Sequence, residues 1–353
     1  MIRICETLAA MGYQVRLIGR KRKTSKPLVE RGFEQLRLSC FFQQGKWFYL
    51  EYNIRLWWYL LLHRFDAVCA VDLDTILPVL WISSLKSKPR LYDAHEYFTE
   101  VPEVVRRPQI QRIWARVARY AIPKFKHCYT VGPALARIFE ERYGVAFEVI
   151  RNVPVRQATE AVIRTITAEQ PIILLYQGAL NEGRGIEFLL QAMPLLPKHV
   201  KLWLVGEGDL SEALRTQAVD LQLGAQVKFW GYVQPEDLKA ITAQATIGFN
   251  LLENKGLSYY YSLANKAFDY LQAGIPSVQM DFPEYQNLQQ QYEVFVLLSE
   301  LDPSSIAEAV RQLADPASGL YHRLAQNCRL AATEWNWERE QLSLELIYRQ
   351  IME

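Results

Sequence analysis

The chain has 353 residues, of which 50% are hydrophobic and 22% charged, with a formal net charge of +2. This length favours two domains, and the balanced composition excludes a disordered or fibrous chain. Five cysteines, an odd number without CxxC spacing, indicate a reducing cytoplasm rather than a disulfide framework. The apolar run LWWYLLL at 56–62 is shorter than the roughly 20 residues that a membrane-spanning helix needs.

Positive charge is concentrated in the first half of the chain. Residues 1–153 contain 25 Lys and Arg residues against 14 Asp and Glu residues, whereas the remainder contains 15 against 24. The densest cluster, GRKRKTSK at 19–26, is either a solvated loop or part of a surface that faces anionic phosphate on a membrane or an acceptor. No nucleic-acid module is recognisable in the sequence, so we expect no nucleic-acid partner.

Apolar runs and amphipathic segments alternate through the first half. The N-terminal residues indicate a helix followed by a strand rather than a secretory signal. Strands are predicted at 14–20, 67–72, 90–96, 127–132 and 148–152. Helices are predicted at 47–64, 75–85 and 133–143.

The second half repeats the alternation after a joint at 152–170, where strand periodicity lapses. Strands are predicted at 171–178, 200–208, 227–233, 245–252, 276–280 and 293–298. Helices are predicted at 185–193, 210–221, 235–243, 262–273 and 303–315. The pattern predicts an α/β chain with two Rossmann-like, doubly wound domains facing a cleft, because such sheets bind ligands beyond the carboxyl ends of their strands.

Two glycine-containing loops follow predicted strands of the second half. YQGALNEGRG at 176–185 places Gly178, Gly185 and the cation of Arg184 before a helix, and VGEGD at 205–209 contributes Gly206 and Gly208. A helix N-terminus with free N–H groups favours a phosphate. Neither loop has the full GxGxxG spacing with its following acid, so no NAD site is predicted.

Eight segments, taken in order, resemble the retaining glycosyltransferases of family 4, which have the GT-B fold. They are YDAHEYFTEVPE (92–103), YTVGPALARIFEERYG (129–144), VIRNVP (149–154), YQGALNEGRGIEFLLQAM (176–193), LVGEGD (204–209), FWGYVQPEDL (229–238), NKAFDYLQAGIPSV (265–278) and NWERE (336–340). The resemblance covers nearly the whole chain. It implies an acceptor-side domain of residues 1–153 plus the C-terminal helix 336–353, and a nucleotide-sugar-binding domain of residues 154–335.

The resemblance assigns donor-binding roles in the second domain. Asp269 takes the place of the second acid of the E-x7-E motif, which binds the ribose hydroxyls of the donor. Lys266 lies one turn earlier and is expected to reach the diphosphate together with Arg184, with Lys255 a weaker candidate. The alternative is that Lys266 and Asp269 form only a surface ion pair at i, i+3.

The sequence also departs from the family pattern. Tyr261 stands where the first motif glutamate is expected, and Glu253 lies eight residues too early to replace it. Ala179 follows Gly178 where the family often has Gly-Arg. Whether the tyrosine abolishes activity is left open by the sequence.

In the first half, the resemblance implies that His95 lies against the transferred sugar or the acceptor. An imidazole there can hydrogen-bond a hydroxyl or transfer a proton, although an isolated histidine is more often structural. Asp74, Glu96 and Glu100 are candidates for acceptor contacts. Asp72 and Asp74 form a DxD triplet, but metal-dependent enzymes that use this motif lack a second Rossmann half, so no metal and no cofactor are predicted.

The sequence begins at a helix where GT-B chains usually open with a strand. Either the true start lies upstream or the protein lacks an element that its relatives have. We expect the N-terminal domain of this chain to lack its first strand, with unpaired backbone groups on the neighbouring strands and reduced stability or activity.

The leading functional hypothesis is metal-independent transfer of a sugar, with retention, from a nucleotide-diphosphate-sugar to a glycan or lipid-linked acceptor. A catalytically inactive partner or scaffold protein and a nucleotide-sugar epimerase are the alternatives. The segment 46–65, rich in aromatic residues, either docks on an anionic membrane or packs under the sheet with Trp57, Trp58 and Leu60 to Leu62 in the core. The expected location is the cytoplasm, with or without peripheral membrane contact.

Overall fold

A computed structural model describes residues 1–156, 163–166 and 170–352. The chain divides into two compact units, one formed by Met1–Arg151 with Trp337–Glu353 and the other by Asn152–Asn336. The sequence analysis placed the corresponding limits at 153 and 336. Of the predicted joint at 152–170, residues 157–162 and 167–169 lie outside the described residues, and so does the last residue of the predicted C-terminal helix.

The first unit contains six short strands and six helices before the chain enters the second unit. In chain order they are α1 Ile2–Ala10, β1 Arg16–Lys21, β2 Glu34–Ser39, α2 Gly45–Leu62, β3 Val68–Val71, α3 Ile76–Leu85, β4 Arg90–Ala94, α4 Pro102–Val105, α5 Pro108–Ala121, β5 His127–Thr130, α6 Pro133–Tyr143 and β6 Glu148–Val149. Single 3₁₀ turns lie at Leu73–Thr75, Phe98–Glu100 and Ile122–Lys124.

The strands of the first unit form two separate parallel sheets. β3, β4, β5 and β6 pair in that order, and β1 pairs with β2 alone. Among the described strands, no ladder joins the pair to the four-stranded sheet. The strand β2 was not predicted, because only Leu36 and Leu38 alternate in its sequence, EQLRLS.

The second unit is a single parallel sheet covered by helices. Its elements are β7 Ile172–Gln177, α7 Ile186–Ala192, β8 Val200–Val205, α8 Ser211–Asp220, β9 Val227–Gly231, α9 Pro235–Thr242, β10 Ile247–Asn250, α10 Leu257–Tyr260, α11 Asn265–Gln272, β11 Ser277–Met280, α12 Pro283–Gln291, β12 Phe295–Leu298, α13 Pro303–Ala314 and α14 Leu320–Glu334. The strand order is β12-β11-β10-β7-β8-β9. The direction of winding therefore reverses between β7 and β10, where a doubly wound sheet opens a crevice at its carboxyl edge.

The last helix, α15 (Trp337–Met352), packs into the first unit. Its buried face joins one apolar cluster with α1 and the four-stranded sheet, including Ile4, Leu91 and Leu344. Trp337 Nε1 donates a hydrogen bond of 2.9 Å to Thr7 Oγ1.

A buried carboxylate also anchors this helix. Glu340 accepts hydrogen bonds from the backbone N–H of Arg151 at 2.9 Å and from its guanidinium at 3.0 Å. Breaking such a buried pair by removing one partner is costly, because the other charge then lacks compensation.

No helix in the described part of the chain is long and apolar enough to cross a bilayer. The cysteines are all unpaired thiols, with Cys5, Cys128 and Cys328 buried.

Truncation of the buried Leu344 side chain tests how strongly α15 stabilises the first unit. Leu344 is fully buried (0% exposed), whereas Leu346 on the same helix is 59% exposed. Leu344→Ala should lower the free energy of unfolding by about 2–5 kcal/mol, because it leaves a cavity. Leu346→Ala should change it by less than about 0.5 kcal/mol. Urea denaturation followed by circular dichroism measures both, and equal effects would contradict the assigned packing.

Candidate functional site

In the second unit, the loops that follow β7 and β8 lie side by side at the carboxyl edge of the sheet. The N–H of Gly178 donates to the carbonyl of Val205 at 2.9 Å, and the N–H of Leu180 donates to that of Glu207 at 3.3 Å. The N–H of Leu210 returns a hydrogen bond of 2.9 Å to the carbonyl of Leu180. The two loops therefore form one continuous backbone surface.

The approach of the two loops requires glycine. Gly206 has φ +137°, and a Cβ at this position would lie 1.9 Å from the carbonyl oxygen of Gly178. At Gly208 a Cβ would lie 2.2 Å from Asn181 Oδ1, the atom that accepts a hydrogen bond from the N–H of Asp209. These glycines allow a contact that any side chain would prevent.

Arg184 lies directly before α7. Its guanidinium carbon is 4.9 Å from the centroid of the Tyr259 ring, a cation–π contact. Its Nε is buried and has no hydrogen-bond partner among the described atoms. The adjacent Gly185 passes so near to Leu251 that a Cβ would lie 2.3 Å from that carbonyl oxygen.

Lys266 is the second residue of α11 and lies beside the β7 loop. Its Nζ is 3.9 Å from the centroid of the Tyr176 ring and approaches Gly178. Burial lowers the pKa of Lys266 well below its usual value, the positive charge of Arg184 lowers it further, and the carboxylate of Asp269 acts in the opposite direction. Burial and the charge of Arg184 thus disfavour the charged form of Lys266, and a bound anion would favour it.

A chain of hydrogen bonds fixes Asp269 on the same helix. Its Oδ2 accepts from Gln177 Nε2 at 3.0 Å, and Gln177 Oε1 accepts from Thr242 Oγ1 at 2.7 Å. The backbone N–H of Gln177 donates to the hydroxyl of Tyr270 at 3.2 Å. The end of β7 therefore orients the carboxylate of α11.

Lys255, the weaker candidate for a diphosphate contact, already forms ion pairs. Lys255 pairs with Glu182 at 3.2 Å and with Glu253 at 2.9 Å, so two carboxylates neutralise it locally. Tyr261 packs edge-on against Tyr260, with ring centroids 4.9 Å apart. Position 261 therefore offers an aromatic ring where a carboxylate was expected.

In the first unit, the buried Asp93 and the half-buried Asp72 hold His95 at the ends of β3 and β4. Asp93 Oδ2 lies 3.1 Å from His95 Nε2, and Asp72 Oδ1 accepts the backbone N–H of His95 at 2.9 Å. Burial acts to lower the pKa of His95, but the hydrogen bond and charge of Asp93 and the charge of Asp72 outweigh it, and the pKa is raised. The Sδ of Met1 also lies 3.3 Å from Nε2.

Asp72 has an unusual backbone and an unusual acidity. Its φ is +56° and its ψ is 173°, a backbone conformation that few residues other than glycine adopt. Burial raises its pKa from 3.8 to about 7, the charges of Glu96 and Asp93 add to the effect, and His95 opposes it. Its carboxyl group therefore exchanges a proton near neutral pH.

The three acceptor-side candidates have different environments. Burial raises the pKa of Asp74 to about 6, with the charge of Arg20 among the opposing effects. Glu96 is exposed next to His95, and Glu100 accepts a hydrogen bond of 3.3 Å from Gln111 on α5. Asp74, His95 and Glu96 follow neighbouring strands, whereas Glu100 is tied to a helix.

The described residues contain no group of three or more His, Cys, Asp or Glu side chains arranged to hold a metal ion. The two aspartates of the DxD triplet have different environments, since Asp72 holds the backbone of His95 and Asp74 lies nearer Arg20. Metal independence remains a prediction.

Sequence reasoning assigned no role to Gln177, Tyr176 or Asp93. A signal existed for Asp93, because residues i and i+2 of a strand point to the same side, which places it beside His95. Gln177 and Tyr176 end β7, and only the tertiary fold brings them to α11.

Two family models match the chain. One, described as glycosyl transferases group 1, matches residues 171–315, and the other, a glycosyl transferase 4-like domain, matches residues 2–156. An uncharacterized glycosyltransferase of Methanocaldococcus jannaschii is 34% identical over 77 residues. That match covers 21% of this chain and only 20% of the length of the curated relative.

Solved structures share the fold at low sequence identity. Sucrose-phosphate synthase of Thermosynechococcus elongatus is 20% identical with a TM-score of 0.74, covering 99% of this chain and 92% of that one. HepE of Anabaena, in complex with UDP and glucose, is 14% identical with a TM-score of 0.69, covering 89% and 86%. Both likenesses support two Rossmann-like domains of the GT-B type.

The raised pKa of Asp72 makes stability depend on pH in a defined direction. The folded chain retains a proton that the unfolded chain releases above its ordinary carboxyl pKa, so this stabilisation is present at about pH 4 and is lost as the pH rises towards 7. Asp72→Asn keeps the shape and tolerates a positive φ, and it should flatten that decline. Melting temperatures between these pH values test this, with Asp66→Asn at an exposed carboxylate as the control. Parallel profiles for wild type and Asp72→Asn would contradict the assignment.

Proposed function

The chain belongs to the GT-B glycosyltransferases, of the group 1 and 4-like kind, and from this premise we propose which reaction it performs. It moves a hexosyl group from a nucleotide-diphosphate-sugar to a glycan or lipid-linked acceptor, with retention and without a metal ion or other cofactor. The observation that carries the proposal is the grouping of Arg184, Lys266 and Asp269 at the switch point of the second sheet.

The donor diphosphate binds against the two cations. A phosphate near Lys266 offsets the repulsion from Arg184 and restores the charged form of the buried amine. The N–H groups of the loops bearing Gly178, Gly185, Gly206 and Gly208 supply further donors, as glycine-containing loops and helix N-termini commonly do for phosphates. As the leaving diphosphate develops charge, these fixed groups stabilise it in the place of a metal.

The ribose binds to Asp269, whose carboxylate accepts hydrogen bonds from two neighbouring hydroxyls. Gln177 already occupies one oxygen and sets the orientation of the group. HepE of Anabaena carries UDP in its complex, which makes UDP the first nucleotide to test.

His95 acts on the sugar or the acceptor. With its pKa raised by Asp93 and Asp72, the imidazole donates a hydrogen bond to a hydroxyl or transfers a proton. Asp74, Glu96 and Glu100 bind acceptor hydroxyls. No residue is assigned as a nucleophile, which fits a front-face reaction with retention. The protein works in the cytoplasm, in peripheral contact with a membrane.

One observation favours a second candidate, an inactive partner or scaffold protein. Tyr261 fills the place of the first motif acid and packs against Tyr260, so that position cannot bind the donor as a carboxylate does. The donor-binding test below separates the two candidates.

Nucleotide binding tests the donor site directly. UDP, GDP, ADP and CDP are added to the wild type, Asp269→Ala and Asp220→Ala, the last being a control at an exposed carboxylate of α8. One nucleotide should raise the melting temperature of the wild type and the control, and Asp269→Ala should lose most of that rise. If no nucleotide shifts a folded wild type, the scaffold candidate is favoured.

Metal independence has its own test. With the matching donor sugar, release of the nucleoside diphosphate should change by less than about twofold when EDTA is added, since side chains and N–H groups stabilise the leaving group. Loss of turnover that Mn²⁺ or Mg²⁺ restores would refute this part of the proposal.

A further inference from the structure

The helix α2 has two apolar faces, only one of which is covered. Phe48, Tyr52, Leu56 and Leu60, four residues apart, form its buried face. The α2 stripe, defined as Trp47, Leu50, Ile54 and Trp58, lies on the opposite side, and its members are 48–54% exposed. A helix that is apolar all round normally has both faces covered. The alternative that placed Trp57, Trp58 and Leu60 to Leu62 in the core is wrong for Trp58 and Leu62, which are 52% and 74% exposed, whereas Leu60 is buried.

The neighbouring helices α3 and α5 also expose apolar side chains. α2 packs on α3, and α3 packs on α5. α3 exposes Trp81 and Leu85, and α5 exposes Ile113 and Tyr120. We call these four residues and the α2 stripe together the docking patch. Within the docking patch, the side chains of Trp81 on α3 and Tyr120 on α5 interact with each other.

The charge of these helices is almost entirely positive. α3 and α5 contain no acidic residue, and the single acid of α2, Glu51, is paired with Arg55 at 2.8 Å. Exposed cations accompany the docking patch: Lys46, Arg112, Arg116, Arg119 and Lys124. A partner for this surface must therefore offer both apolar groups and negative charge.

We propose that the docking patch binds the surface of an anionic phospholipid bilayer. Tryptophan and tyrosine side chains favour the depth of the lipid headgroups, and lysine and arginine pair with the anionic groups there. A second copy of the chain fits less well, since a two-fold contact through this surface would bring its own cations together.

The inference deepens the proposed function, because it rests on that function's membrane contact and names the surface that makes it. It does not need the transfer reaction. Holding the first unit on a bilayer would supply the protein with acceptors that are themselves anchored in lipid.

The test is sedimentation of the full chain with vesicles of phosphatidylcholine alone or mixed equally with phosphatidylglycerol. The wild type should bind the mixed vesicles more tightly, bind less at high salt, and show a blue shift of tryptophan fluorescence. The double variant Trp47→Ser and Trp58→Ser should bind at least about tenfold more weakly, a loss of about 1.4 kcal/mol.

A matched control removes exposed apolar side chains elsewhere. Val219 and Leu330 of the second unit are also exposed, and their double replacement by serine should leave vesicle binding unchanged. Equal losses in both double variants, or equal binding to neutral and anionic vesicles, would overturn the proposal. A dimer in solution that the Trp47→Ser and Trp58→Ser variant dissociates, without vesicle binding, would assign the patch to a second copy instead.

The nucleotide-induced rise in melting temperature is measured on the same samples. If the rise persists without vesicle binding, this inference fails and the donor site stands. If vesicles bind but no nucleotide does, the donor site fails and the docking patch stands.

Discussion

The reversal of winding between β7 and β10 is the constraint on which the candidate donor site depends. The connections on the two sides of this point leave the sheet towards opposite faces, so a crevice forms between them at the carboxyl edge. The β7 and β8 loops, and the helix that carries Lys266 and Asp269, all border this opening. Close packing of the loop backbones then requires glycine, whereas the helix supplies charge. At this edge of the sheet, the glycines allow the loops to pack, and Lys266 and Asp269 supply the charged groups.

In both units, burial and neighbouring charges make the charged forms of some side chains unfavourable. The second holds a lysine beside an arginine, and the first holds three ionisable groups, Asp72, Asp93 and His95, within one hydrogen-bonded cluster. Such arrangements are unfavourable for folding but effective for binding, because a ligand of the right charge relieves them. Neutral replacements at such positions often stabilise a protein while reducing its activity.

The sequence was sufficient for the alternating pattern and for most strands, because parallel strands are short apolar runs whose neighbours are helical. It failed for β2, a half-exposed strand in which only Leu36 and Leu38 are apolar, and it did not identify α5, α12 or α14. Of the site, the glycines and Lys266, Asp269 and His95 could be named from motif and spacing. Gln177 could not be named, because it orients Asp269 only in the folded chain, and the two residues lie 92 positions apart in the sequence. For α2 the sequence offered core or membrane as alternatives, and the structure covers one face and exposes the other.

The assignment of α15 to the first unit has a consequence for biosynthesis. The second unit is one continuous stretch of the chain, so none of its internal contacts depends on the segment that follows it. The first unit emerges earlier but cannot complete its apolar cluster until the final helix has been made. The segment produced first therefore depends, for its complete apolar cluster, on a helix that is made after the whole second unit.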